Sequence, residues 1–146
     1  MIRVALVDDH ATMRSSLRTL IDGEFDMEIV AEANDLTSLE REVSDRPADV
    51  LILDLEVPGG LSMEAIDNCR RRAPATQIVA ATMHDNPAFA QRALAAGALG
   101  FVMKERADEE LPAAVRAAAR GEEYVSPVVA PGLGSLRRKL TGSAAC

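Results

Sequence analysis

Cysteine is nearly absent. The 146 residues hold two, Cys69 inside a helix-like stretch and Cys146 at the last position, which points away from both a disulfide framework and a cysteine-based metal cluster. Long apolar runs are also missing: nothing approaches the roughly 18 residues that span a bilayer. Met1 leads straight into a short strand-like segment, with no apolar signal core or cleavage site. A cytoplasmic protein with no membrane partner is the expectation. Positive charge is the third scarcity, with 16 Lys and Arg against 23 Asp and Glu and a formal net charge of −7. Arg137, Arg138 and Lys139 are the only charged residues after position 130, so removing those 3 from 16 leaves 13 − 23 = −10 for residues 1–130. A body that acidic repels nucleic acid, and the short basic run reads as part of a solvated tail.

What is present is regular. Apolar residues make up 48% and charged residues 27%, far from the signature of disorder, and the length suits one domain. Arg3-Val4-Ala5-Leu6-Val7 is an apolar run that ends in Asp8-Asp9-His10, as a strand buried on both faces does. Met13, Leu17, Leu20 and Ile21 follow at helical spacing, closed by Gly23. The alternation repeats. Glu28–Ala31 is strand-like, and Leu36, Leu39 and Val43 mark a helix that stops before Pro47. Val50–Leu53 ends on Asp54 and passes through Pro58-Gly59-Gly60 to a helix carrying Ala65, Ile66 and Cys69. Gln77–Ala81 ends on Thr82, before a helix around Phe89–Leu94 that Gly97 closes. Gly100–Met103 reaches Lys104 before Leu111, Ala114, Val115 and Ala118 define a last helix. Five βα units predict an α/β fold, a five-stranded parallel sheet covered on both faces in a three-layer sandwich. From Ser126 the composition turns to Pro, Gly and Ser, which divides the chain into a folded unit over 1–128 and a linker or disordered tail over 129–146.

Ligands of open parallel sheets bind outside the carboxyl ends of the strands. Those ends carry Asp8 and Asp9, then Asp54, then Thr82, then Lys104. Three carboxylates held together raise one another's pKa unless a cation lies between them, and a hard divalent ion such as Mg²⁺, which takes oxygen ligands and bridges to phosphate, resolves the conflict. A carboxylate can attack phosphorus to form an aspartyl-phosphate, with Lys104 and Thr82 pairing the phosphoryl oxygens. Singly, Asp9 or Thr82 reads as a helix cap, Asp54 as a strand-ending turn residue and Lys104 as a solvated cation. Together, at successive strand ends, they read as one site. His10 reads as a loop side chain.

These residues resemble a known family. Val4–His10, Asp49–Leu55, Pro58-Gly59, Ala95–Ala98 with Gly100–Lys104, and Gly121–Pro127 are similar to the response-regulator receiver domains of two-component systems, specifically the NarL/FixJ (LuxR-type) subfamily, over about residues 2–128. The resemblance implies a flavodoxin-like strand order 2-1-3-4-5 and a phospho-accepting regulatory domain rather than an enzyme. It implies Asp54 as phosphoacceptor, and Mg²⁺ held by Asp9 and Asp54 directly, by Asp8 through water and by the Glu56 backbone carbonyl. It further implies Lys104 as the phosphate-binding lysine, and Thr82 and Phe101 as paired switch residues, Phe101 turning inward when Thr82 moves to the phosphoryl group. Its implied partners are a sensor histidine kinase or a small acyl phosphate as donor, a second copy in a phosphorylation-promoted homodimer, and DNA only through a C-terminal domain.

The chain departs from the family's pattern in three places. Val57–Ser62 replaces the usual continuation after the acceptor, Glu56 places a long acid two residues past Asp54, and Met83 follows Thr82 where the family usually has a smaller residue, with His84 next. We expect Glu56 to alter Mg²⁺ affinity or phosphoryl lifetime. No helix-turn-helix sequence follows, so the expectation is the N-terminal part of a DNA-binding regulator, with a stand-alone regulator acting through protein contacts, or a receiver that works without phosphate, as alternatives. A haloacid-dehalogenase-like phosphatase, echoed by Asp54-Leu55-Glu56, needs its nucleophile on the first strand. A nucleotide-binding module needs a Gly-rich phosphate loop that is missing here.

Overall fold

Along the central strands, successive side chains go to opposite faces, and both faces are apolar. Val4, Leu6, Val50, Ile52, Val79, Ala81 and Val102 enter one cluster, and Ala5, Val7, Leu51, Leu53, Ile78, Ala80, Phe101 and Met103 the other. A computed structural model, which describes residues 1–35, 38, 47–56 and 63–134, arranges them as β1 (Ile2–Val7), β2 (Met27–Ala33), β3 (Val50–Asp54), β4 (Gln77–Thr82), β5 (Gly100–Met103) and β6 (Tyr124–Val125). The helices are α1 (Ala11–Asp22), α2 (Met63–Arg72), α3 (Pro87–Ala96) and α4 (Ala107–Ala119), with a 3₁₀ turn at Lys104–Arg106.

The sheet order is β2-β1-β3-β4-β5-β6, every neighbouring pair parallel. Leu17 and Ile21 of α1 and Leu111, Ala114, Val115 and Ala118 of α4 cover one face, and Ile66 of α2 and Phe89, Ala90 and Ala93 of α3 cover the other. That is the expected three-layer sandwich. Because β2 lies on one side of β1 and β3 on the other, the chain reverses its progression there. The carboxyl ends of β1 and β3 therefore flank the crevice of the switch point.

Two features extend the expected five-stranded core. The sheet has a sixth strand, Tyr124–Val125, in register with Gly100 and Phe101; two residues are too short a run to show a period. Packed structure also continues past residue 128. Residues 130–134 are helical, and Val129 and Leu133 are buried, Val129 within the cluster that holds Phe101. The Pro and Gly residues that suggested a linker also suit one short helical turn packed on the body. Gly132 shows why: a Cβ there would lie 2.5 Å from Pro87 Cγ. The helix expected over Leu36–Val43, the loop at Pro58-Gly59-Gly60 and the basic run at 137–139 lie outside the described residues, Ser38 apart.

Candidate functional site

The four central strands deliver polar groups to one edge. Asp8 and Asp9 leave β1, Asp54 ends β3, Thr82 ends β4 and Lys104 follows β5. Asp54 Oδ1 accepts a hydrogen bond from the Glu56 N–H at 2.9 Å and lies 2.7 Å from Lys104 Nζ. The ammonium also lies 3.5 Å from Asp8 Oδ2. Asp8, Asp54 and Lys104 are all buried, while Asp9 and Glu56 keep 24% and 23% of their side chains exposed and form the wet rim above them.

Local backbone explains why these groups face inward. The readings as caps fail, since α1 is capped at His10 without a side-chain hydrogen bond and α3 at Asn86, whose Oδ1 accepts from the Ala88 N–H. Asp9 and Thr82 are therefore free of that duty. Asp8 Oδ1 accepts from the His10 N–H at 2.8 Å, and Arg14 donates to the Asp8 carbonyl at 2.7 Å, which together fix the turn out of β1. His10 itself reaches the cluster: Nδ1 lies 2.9 Å from Asp9 Oδ1. The expected loop side chain thus joins the site, and its place immediately after two acids at a strand end is the signal in the sequence.

Burial pushes the Asp8 carboxyl up from its ordinary pKa, and the Asp54 charge adds to that against the lowering effect of the His10 N–H and of Lys104. Burial pulls the Lys104 ammonium down, but its hydrogen bond with Asp54 and the charges of Asp54, Asp8 and Glu56 prevail, so its pKa is raised. One ammonium thus faces the carboxylates of Asp54, Asp8 and Glu56.

The donor set fits a hard divalent cation. One ligand atom from each of Asp8, Asp9, His10 and Asp54 can be chosen so that all lie within 4.8 Å of one another. Asp8 Oδ2 is buried without a hydrogen-bond partner, and such an oxygen is costly unless a cation takes it. Among the described residues this acid cluster is where a metal could be held.

Thr82 is turned to another partner. Its hydroxyl donates to Glu56 Oε1 at 2.7 Å, the Met83 N–H donates to the same oxygen at 2.6 Å, and the His84 N–H donates to Thr82 Oγ1 at 3.1 Å. Phe101 lies on the inner side of the same edge. Its ring is already fully buried, edge-to-face against Phe89 with centroids 6.1 Å apart. A phenyl ring has no hydroxyl to hold it at the surface, and in this arrangement the apolar cluster encloses it.

Comparison with known proteins bears on this edge. The description of the response regulator receiver domain matches residues 4–116. "Oxygen regulatory protein NreC" of Staphylococcus haemolyticus is 35% identical over 125 residues, which are 85% of this chain and 58% of that protein. A crystal structure of a LuxR-family two-component response regulator from an Aurantimonas species superposes with a TM-score of 0.84 at 36% identity, covering 92% of this chain and 96% of the other. The isolated receiver domain of RcsB from Salmonella enterica, solved with the phosphomimetic BeF₃⁻, gives 0.80 at 29% identity, over 89% and 96%. The chain spans somewhat over half the length of NreC.

Proposed function

The chain belongs to the response regulator receiver domain family of LuxR-type regulators, and from that premise we propose that it accepts a phosphoryl group on Asp54 and converts the charge placed there into a changed surface. One observation carries the proposal: Asp54 Oδ1 is held by Lys104 and the Glu56 N–H, while Oδ2 is buried and unpartnered. The carboxylate is thus oriented through one oxygen and leaves the other as nucleophile.

Oδ2 attacks phosphorus, the new O–P bond forms, and the bond to the donor breaks with its electron pair leaving on a phosphohistidine nitrogen or a carboxylate oxygen. Lys104 pairs one phosphoryl oxygen, relinquishing part of its bond to Asp54 as that carboxylate becomes an acyl group. The Thr82 hydroxyl takes another. Asp8, Asp9, Asp54 and the Glu56 backbone carbonyl would hold Mg²⁺, with His10 at the margin; when bound, the ion supplies charge neutralisation to the transferring group.

The donor is a sensor histidine kinase or a small acyl phosphate, the output a homodimer, and DNA is reached through a C-terminal domain such as the extra length of NreC allows. The setting is the cytoplasm; among the described residues no helix is long and apolar enough to cross a membrane. Catalysis is confined to the chain's own phosphoryl transfer and hydrolysis. Incubation with Mg²⁺ and acetyl phosphate, read by intact mass, should add one phosphoryl group to the wild type and none to Asp54→Asn. An adduct equal in both would remove Asp54 from the role.

A further inference from the structure

Glu56 Oε1 is a carboxylate oxygen that two donors address at once, the Thr82 hydroxyl at 2.7 Å and the Met83 N–H at 2.6 Å. A hydroxyl and a main-chain amide converging on one anionic oxygen, at the end of β4 and beside the acceptor aspartate, form half of an oxyanion cradle. The cradle is filled by the chain's own side chain. We propose that Glu56 is a built-in anion that stands in the phosphoryl group's place on Thr82 and Met83, so that phosphorylation of Asp54 engages Thr82 only by displacing it.

This deepens the phosphoacceptor reading and rests on it. Three features support it. Glu56 is tied to the acceptor through its own backbone, since its N–H donates to Asp54 Oδ1 at 2.9 Å, so the main chain that orients the nucleophile also carries the competing anion. Both donors point at a single oxygen, and charge-assisted bonds of that kind are stronger than those between neutral groups. The carboxylate also has somewhere to go, because it is partly exposed and the His84 imidazole Nε2 lies 3.8 Å from the same oxygen.

Two consequences follow. Before transfer, Glu56 holds Thr82 in one rotamer and satisfies the Met83 N–H, which favours the resting arrangement. After transfer, two anions contend for two donors, and the like charge of Glu56 beside the phosphoryl oxygens weakens their hold on Thr82. Glu56 is therefore a positioning residue that sets how much of the binding free energy of a phosphoryl group is spent on displacement.

The test is a double-mutant cycle on the affinity for BeF₃⁻ with saturating Mg²⁺, measured by titration calorimetry on the full chain. Glu56→Ala should tighten binding by about tenfold and Glu56→Gln by less, since the amide oxygen still accepts from both donors; one displaced charge-assisted bond corresponds to about that factor. A charge effect through space would survive loss of the hydroxyl, whereas displacement from Thr82 would not. The gain from Glu56→Ala should thus shrink to about threefold or less in a Thr82→Val background. The Met83 amide proton should shift upfield in Glu56→Ala before any BeF₃⁻ is added, a readout independent of phosphorylation. Wild type that takes acetyl phosphate on Asp54 and binds BeF₃⁻ as tightly as Glu56→Ala would overturn the latch and leave the acceptor reading standing. An undiminished gain in the Thr82→Val background would overturn it equally. Wild type and Glu56→Ala that both refuse acetyl phosphate and BeF₃⁻ would overturn the two together.

Discussion

Lys104 Nζ lies 2.7 Å from Asp54 Oδ1 and 3.5 Å from Asp8 Oδ2, with all three side chains buried. The ammonium is shared unequally, and Asp8 is the poorer partner. Burial and the neighbouring Asp54 charge drive the Asp8 carboxyl up, so ionised Asp8 is held in the fold at a cost whenever no cation balances it.

That cost makes Asp8→Asn a stabilising change. At neutral pH and without Mg²⁺ the variant should be more stable than wild type by about 1–3 kcal/mol, the cost of an unsatisfied buried group, and should gain less stability when Mg²⁺ is added. Urea denaturation with and without Mg²⁺ measures both. A variant less stable than wild type in the absence of Mg²⁺ would mean that Asp8 is satisfied by Lys104 after all.

At the opposite end of the sheet the electrostatics have the other sign. Arg116 donates to both oxygens of Asp26, each at 2.9 Å, and to Glu24 at 3.1 Å. The hydrogen bonds from Arg116 hold the Asp26 carboxyl below its ordinary value. A folded pKa below the unfolded one contributes stability above the unfolded value, near 3.8, which is lost as pH falls through the folded value. The stability difference between wild type and Arg116→Gln should therefore be full at pH 6 and close progressively below about pH 4. A pH-independent difference would assign Arg116 a packing role alone. Both carboxylates are partly exposed, so high salt should narrow the difference too.

How much of this was legible beforehand depends on what kind of signal each feature leaves. The five longer strands were legible because two buried faces force continuous apolar runs such as Val50–Leu53, and the site because each run ends on a charged or hydroxyl residue. The Glu56 contact was not. A glutamate two residues past Asp54 can reach the metal, the solvent or Thr82, and only the β3–β4 pairing, which sets Asp54 beside Ala81, decides for Thr82. The rotamer of Phe101 and the docked segment after Ser126 were invisible for the same reason, since both depend on contacts from elements distant in sequence.

The docked segment yields a boundary prediction. Ser126 Oγ donates to Glu110 Oε2 at 3.0 Å in a buried position, and the Ser126 N–H donates to the Phe101 carbonyl at 2.8 Å. Val129 and Leu133 are buried beyond it. Ending the chain after Val128 should cost about 3 kcal/mol or more relative to ending it after Gly134, at about 1.5–3 kcal/mol per buried aliphatic side chain. Gly132→Ala should destabilise by about 1–3 kcal/mol through its clash with Pro87. Gly134→Ala, where a Cβ meets nothing within 4 Å, should be neutral or mildly stabilising. Equal stability of the two shortened chains would return the boundary to residue 128.

A chain of contacts runs from Thr82 to the buried ring of Phe101. The His84 N–H donates to Thr82 Oγ1, the His84 ring meets Phe89 edge-on at 5.8 Å, and Phe89 meets Phe101 at 6.1 Å. These contacts lead from the hydroxyl to the start of α3 and to β5, whose Phe101 carbonyl holds the segment after β6. Thr82→Ala should accept phosphate on Asp54, while the phosphate-dependent chemical-shift changes at His84, Phe89 and Phe101 are lost. Phe89→Leu, which keeps Thr82 and much of the apolar volume, should retain the change at His84 and lose most of it at Phe101. Comparing the phosphate-induced shifts of the three proteins separates a relay through the rings from a coupling spread evenly over the sheet, because an even spread leaves the Phe101 change intact in Phe89→Leu.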